Sequence, residues 1–241
     1  KWIEKMQKQY KDNFNNILNT ISKFKGNYKI DSRSINPGDI FIALRGSKDH
    51  GENYIEDAIN NKAKFVISEK IIPRFKDRTI LVNSCFSAIK FIGDYKRSNY
   101  NGKIIGITGS VGKTSLKNLV SFALRNYGKV YHSPHSYNNK FGVPLSLSNL
   151  KRNTEYGIFE IGMSKKGEID NLSKIVRPEI AIITNISEAH LENFNNLKDI
   201  AKAKAEIINN ILKGGNIILN KDSNFFDFLS NKANKKKINV I

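Results

Sequence analysis

Cysteine occurs once in these 241 residues, at Cys85. A single thiol excludes an internal disulfide framework, and the expected compartment is the reducing cytoplasm. With no Cys/His cluster near it, Cys85 reads as a small buried residue. No apolar run approaches bilayer-spanning length and no signal-peptide pattern is visible, so no membrane insertion is expected. Internal repeats are absent. So is an initiator methionine, which points to a piece of a longer chain. Arginine-rich arms are also missing, although the formal net charge is +18. The lysines are spread along the whole chain among abundant Asn and Ile, a bias that AT-rich coding produces, and no nucleic-acid partner is expected. The positive surplus would still attract anionic nucleotides. The length suits one large domain or two ordinary ones, and 39% hydrophobic content supports a packed core.

What stands out is Gly106-Ile107-Thr108-Gly109-Ser110-Val111-Gly112-Lys113-Thr114-Ser115. Ile104 and Ile105 before it read as a buried strand. Leu116, Leu119, Val120 and Ala123 after it have the spacing of one packed helix face. Strand, glycine loop and helix together turn backbone N–H groups and a helix N-terminus toward a phosphate. Residues Thr108 through Ser115 would form that cradle, with Lys113 reaching the terminal phosphates and the Thr114 hydroxyl ligating Mg²⁺. The general G-x-x-x-x-G-K-[ST] spacing would need glycine at 107, where the chain has Ile107. A merely tight turn would explain the glycines but not Lys-Thr at the helix start.

Two domains are expected, residues 1–100 and 101–241. The first reads as an amphipathic helix over 1–25, a polar turn over 31–39 and strands at 40–44, 65–68 and 79–82. Helices at 54–61 and 85–97 and a linker at 98–102 complete it. The second reads as strands at 130–131, 157–161, 180–184, 216–219 and from 238 onward. Its helices are expected at 167–175, 197–212 and 225–229. Asn138-Asn139 with Gly142-Val143-Pro144 reads as a turn-rich loop, and the lysines over 232–237 as a solvated turn. That alternation argues for an α/β fold with a mainly parallel sheet.

In such sheets ligands gather at the carboxyl ends of strands. Glu160 falls there, where a carboxylate is costly unless paired or metal-bound, so it is a candidate Mg²⁺ ligand or an ion-pairing glutamate. Thr184-Asn185 falls there as well. His190 lies just beyond, as a ligand or as a structural loop histidine. Lys204 sits on the apolar stripe of Leu197, Ile200, Ile207, Ile208 and Ile211, where desolvation would lower its pKa unless it snorkels to solvent.

Several separated segments then fit one family in order. They are Asp31-Ser32-Arg33 with Pro37 through Gly46, the loop Thr108 to Thr114, and Asn138-Asn139 through Pro144. Glu160-Ile161-Gly162-Met163 through Gly167-Glu168-Ile169 follows, then Thr184-Asn185-Ile186, Ala189-His190-Leu191-Glu192 and Ala203-Lys204-Ala205-Glu206-Ile207. The chain resembles the ATP-dependent Mur ligases, most closely the type that joins D-alanyl-D-alanine to UDP-N-acetylmuramoyl-tripeptide. The resemblance implies a small α/β domain holding the UDP-substrate near Ser32 and Arg33, then a parallel-sheet, P-loop ATPase domain. Lys113 and Thr114 would serve ATP and Mg²⁺, and Asn139 would match a nucleotide-site asparagine. Glu160 and His190 would match metal positions, and Lys204 the lysine carried as a carbamate beside a second Mg²⁺. Reaction through an acyl-phosphate and a monomeric state are expected. Two departures stand out. Asp49-His50-Gly51 replaces the family's D-G-H order, and the chain stops at Ile241, short of the adenine-contacting residues and the C-terminal domain. A partial ligase, inactive alone, is therefore expected. A sibling ligase adding another amino acid shares most of these features; a folate-type ligase lacks the Asp-Ser-Arg first domain. A basic nucleic-acid-binding module rests on charge alone.

Overall fold

The structure, a computed structural model, describes Ile17 and residues 24–46, 49–188 and 193–241. The helix expected over 1–25 lies outside the described residues apart from Ile17, Phe24 and Lys25. The chain forms two compact units, residues 1–92 and 93–241.

The first unit carries a parallel sheet in the order β1 (Tyr28–Lys29), β2 (Ile40–Ile42), β3 (Phe65–Ser68), β4 (Thr79–Leu81). Helix α1 (Ile55–Asn60) closes a core in which Phe41, Ile55, Ala58 and Val66 are fully buried. Helix α2 (Cys85–Ser98) begins in this unit, with Cys85, Ala88, Ile89 and Ile92 buried. The Pro37-Gly38 turn before β2 is set by buried Asp39. Its Oδ1 accepts from the Asn27 amide at 2.8 Å and its Oδ2 from the Asn36 amide at 3.1 Å. Burial thus satisfies a carboxylate with backbone donors.

The second unit opens with the C-terminal end of α2. It continues through β5 (Lys103–Thr108), α3 (Lys113–Leu124), β6 (Val130–His132), α4 (Gly142–Ser148) and β7 (Tyr156–Glu160). Then come α5 (Glu168–Val176), β8 (Ile180–Ile183), α6 (Leu197–Lys204), a 3₁₀ segment (Ala205–Asn210), β9 (Asn216–Leu219), α7 (Phe226–Lys235) and β10 (Asn239–Val240). The six strands are parallel, in the order β10-β9-β8-β5-β7-β6. On one face α3 lays Leu116, Val120 and Leu124 over Ile105, Ile107, Ile158 and Ile182. The larger core fills the other face, among α4, α5, the 3₁₀ segment and α7. The C-terminus of α5 is held by Arg97. It donates from Nε to the Val176 carbonyl at 2.7 Å and from Nη2 to the Arg177 carbonyl at 2.6 Å.

Four local expectations change. The packed face of α3 is the i, i+4, i+8 set Leu116, Val120 and Leu124, while Leu119 and Ala123 face solvent. Gly142-Val143-Pro144, expected in a loop, instead begin the helix Gly142–Ser148. All seven are buried, and Pro144 is tolerated in a first turn whose N–H groups need no intrahelical partner. The expected long helix over 197–212 changes to 3₁₀ after Lys204. Ala205 through Ile208 are all buried, because this segment packs against both α5 and α7, which a one-sided amphipathic helix could not do. Finally, α7 runs on to Lys235, so most of the basic run is helical, anchored by buried Leu229 and Ala233 four residues apart.

Candidate active site

Strand β5 sits between β7 and β8, and the chain leaves it first toward β6 and β7 and later toward β8. Connections diverge at that point, so the carboxyl end of β5 is the topological switch where a crevice opens. The glycine loop occupies it. Gly109 has φ +152°, and an added Cβ would overlap the Thr184 hydroxyl. Gly112, with φ +80°, is the N-cap of α3. The loop is braced on the residues after β8. Thr184 Oγ1 donates to the Val111 carbonyl at 2.6 Å, and the Val111 amide donates to Asn185 Oδ1 at 3.0 Å. The Ser110 amide donates to the Asn185 carbonyl at 3.0 Å. Ser110 Oγ also donates to the Ser187 carbonyl at 2.9 Å and accepts the Ser187 amide at 3.0 Å. Thr184 and Asn185 therefore shape the loop.

The first-turn N–H groups of Lys113, Thr114 and Ser115 have no intrahelical acceptor, and no side chain caps Gly112. This is the positive end of a helix dipole. Thr108 is fully buried, and its Oγ1 has no hydrogen-bond partner among the described residues. Lys113 Nζ lies back over the loop, donating to the Gly109 carbonyl at 2.8 Å and the Ser110 carbonyl at 3.3 Å. Burial lowers its pKa, and the Glu160 charge opposes that shift.

Glu160, at the end of β7, is 2% exposed and densely partnered. Its Oε2 accepts the Thr114 hydroxyl at 2.7 Å and faces Lys117 Nζ at 3.8 Å; its Oε1 accepts from Asn138 Nδ2 at 2.7 Å. Thr114 Oγ1 is also 3.3 Å from Ser136 Oγ. A hydroxyl and a carboxylate oxygen converging at a helix N-terminus are hard donors that suit Mg²⁺. Asn139 Oδ1 accepts the Phe141 and Gly142 amides at 3.0 and 2.9 Å, capping the start of α4.

A cavity of about 510 Å³ opens beside these groups, lined among others by Gly109, Lys113, Asn139, Gly162, Glu168 and Lys204. Lys204 is 2% exposed and has no ion pair among the described residues. Burial, with a smaller contribution from the Lys113 charge, takes its pKa from 10.5 to about 7. Two residues on, Glu206 accepts the Gly167 amide at 2.8 Å and the Asp170 amide at 3.1 Å. A carboxylate there satisfies orphan donors at the N-terminus of α5 and fixes the turn bearing Lys204 to the cavity wall.

The fold therefore brings Thr108 through Ser115, Asn139, Glu160 and Lys204 to one end of the six-stranded sheet. His190 lies outside the described residues. Ser32 and Arg33 belong to the first unit. Ser32 is buried, its carbonyl accepting from Asn61 Nδ2 at 3.0 Å, while Arg33 is exposed and paired twice with Asp31, at 2.9 and 2.8 Å. His50 Nδ1 accepts the Glu52 amide at 3.2 Å as the N-cap of a 3₁₀ turn, which gives the displaced histidine a local structural job. Sequence reasoning passed over Lys117 and Glu206. The signal for Lys117 was its place one turn after Lys113, on the same side of α3.

The Mur ligase middle-domain model matches residues 107–241, and the model for the Mur ligase family catalytic domain matches residues 26–83. The chain belongs to the Mur ligase family. Among curated Mur ligases it is similar to the UDP-N-acetylmuramoyl-tripeptide–D-alanyl-D-alanine ligase of Rickettsia prowazekii. The two are 44% identical over 200 residues, covering 83% of this chain and 44% of that one. Among solved Mur ligases, MurF from Acinetobacter baumannii superposes with a TM-score of 0.78 at 31% identity, covering 89% of this chain and 47% of the other. MurF from Thermotoga maritima, solved in complex with ADP, gives 0.75 at 29%, covering 90% and 49%. The chain thus spans less than half the length of these relatives.

Proposed function

We propose that this chain is the UDP-substrate and ATP-binding part of a cytoplasmic, monomeric ligase that joins D-alanyl-D-alanine to UDP-N-acetylmuramoyl-tripeptide at the expense of ATP. In this reading residues 1–100 hold the UDP-substrate, with Ser32 and Arg33 near it, and residues 101–241 hold ATP. The observation that carries it is the convergence of Lys113, Thr114 and Glu160 at the switch point of a parallel sheet, beside a cavity that also receives Lys204. The names of the relatives supply the substrate pair. Among the described residues no helix is long and apolar enough to cross a membrane.

The loop amides and Lys113 would hold the β- and γ-phosphates, Lys113 exchanging the Gly109 and Ser110 carbonyls for phosphate oxygens. Thr114 and Glu160 would hold Mg²⁺, with His190 as a further ligand. Bound there, the ion supplies charge neutralisation between the transferring phosphates. Lys204, as a neutral amine, would add CO₂ and release a proton, which turns the buried amine into a carbamate anion able to hold a second cation. Asn139 would sit at the nucleotide edge of the cavity. The terminal carboxylate of the tripeptide attacks the γ-phosphorus and ADP leaves. The amine of D-alanyl-D-alanine then attacks the acyl-phosphate, phosphate leaves and the amide forms.

Calorimetric titration with UDP-N-acetylmuramoyl-tripeptide and with Mg-ATP, separately, tests the assignment. Both should bind, and Lys113→Ala should abolish the ATP isotherm while sparing the UDP-substrate. Failure of both ligands to bind would overturn the reading.

A further inference from the structure

Among the described residues, Lys117 is a strongly buried cation near the phosphate loop that the proposed reaction does not use. Its side chain is 1% exposed, in the second turn of α3, and it faces the 2% exposed carboxylate of Glu160 at 3.8 Å. Its ammonium also donates to the backbone carbonyl of His135, in the loop between β6 and α4. That loop contributes Asn138 to the other Glu160 oxygen and Ser136 to Thr114. A buried carboxylate therefore has a fixed counter-cation on the same oxygen that meets Thr114.

The consequence is electrostatic. A divalent cation lodging between Thr114 and Glu160 would gain the attraction of one carboxylate and meet the repulsion of the Lys117 ammonium, with the Lys113 charge adding to it. The ammonium, 3.8 Å from the carboxylate oxygen, offsets part of that attraction. A polyphosphate lying on the loop would add the negative charge that tips the balance. We propose that Lys117 is a charge-compensating residue that makes cation binding at Thr114 and Glu160 conditional on nucleotide. It prevents Glu160 from capturing a divalent ion by itself, and the ion enters with the phosphates. The inference rests on Thr114 and Glu160 being the cation site.

Mn²⁺ binding followed by electron paramagnetic resonance, with and without ADP, tests it on the chain itself. Lys117→Gln removes the charge while keeping a donor for the His135 carbonyl. In the absence of nucleotide it should bind Mn²⁺ at least tenfold more tightly than the wild type, whereas Lys117→Arg should bind as the wild type does. The double variant Lys117→Gln/Glu160→Gln should lose the gain. Lys117→Met serves as a second neutral variant, and urea midpoints establish that each protein is folded. Unchanged or weaker nucleotide-free binding in both folded neutral variants would overturn the proposal. If Glu160→Gln alone leaves ADP-dependent Mn²⁺ binding intact, it is the cation-site reading that fails, and the inference falls with it.

Discussion

Replacing Lys204 by methionine keeps the aliphatic stem and deletes the amine, which isolates the cost of holding that amine in the cavity. The native pKa of about 7 lies well below the ordinary 10.5. At about 1.4 kcal/mol per pH unit, the difference sets a ceiling of about 5 kcal/mol on the penalty. Because the native pKa is depressed, the unfolded chain binds more protons between these two values. The Lys204 contribution to stability therefore rises with pH from about 7 to 10.5 and is constant on either side. Below pH 7 Lys204→Met should be the more stable protein by several kcal/mol, and the gap should close toward pH 10.5. Urea midpoints at intervals from pH 6 to 10.5, in metal-free and CO₂-depleted buffer, read that gap directly. The difference between variant and wild type cancels the general effect of titrating a lysine-rich chain. Lys113→Met should shrink the gap, since the Lys113 charge is the second cause of the shift. The same depression makes the neutral amine of Lys204 abundant near neutral pH, where an ordinary lysine is almost wholly protonated, which is what carbamate formation requires. A gap that stays flat across the range would refute the claim that Lys204 is desolvated in the native fold.

Gly109→Ala should cost about 2–4 kcal/mol, combining a side chain at φ +152° with the clash against Thr184. It should also abolish ADP binding in a calorimetric titration; wild-type stability and affinity would show that the loop is not packed as described. Glu206→Ala should cost about 1–2 kcal/mol by uncapping the Gly167 and Asp170 amides. Amide exchange at those two positions should accelerate while β5 stays protected, and unchanged exchange would argue against the cap.

Much of this protein can be read from local chemistry. The run Ile104 to Ser115 announced a strand, a glycine loop and a helix because each step depends on neighbours in sequence, and β3 and β9 fell where β-branched runs place them. Glu160 was legible as a carboxylate at the end of an apolar strand, and Lys204 as a lysine on an apolar stripe. Local reasoning failed where burial comes from more than one side. Leu116, Leu119, Val120 and Ala123 looked like a face, yet the apolar contacts with the sheet come from the 116, 120, 124 row, and rotation by part of a turn carried Lys117 into the interior. Gly142-Val143-Pro144 looked like part of a loop because Gly and Pro punctuate most chains, but the fully enclosed helix that they begin needs no polar face. The 3₁₀ segment after Lys204 arises between two helices that periodicity cannot see.

The sequence by itself determined the glycine loop between a strand and a helix, the alternation that builds a parallel sheet, and the hydroxyl, carboxylate and amine groups available at its carboxyl end, since these depend on covalent order and short-range geometry. The tertiary structure alone decided which charges face one another: Lys117 against Glu160, Glu206 against the N-terminus of α5, Lys113 near Lys204. Electrostatic energy depends on distance through space and on exclusion of water, and neither exists until strands β5, β7 and β8 bring their carboxyl ends together.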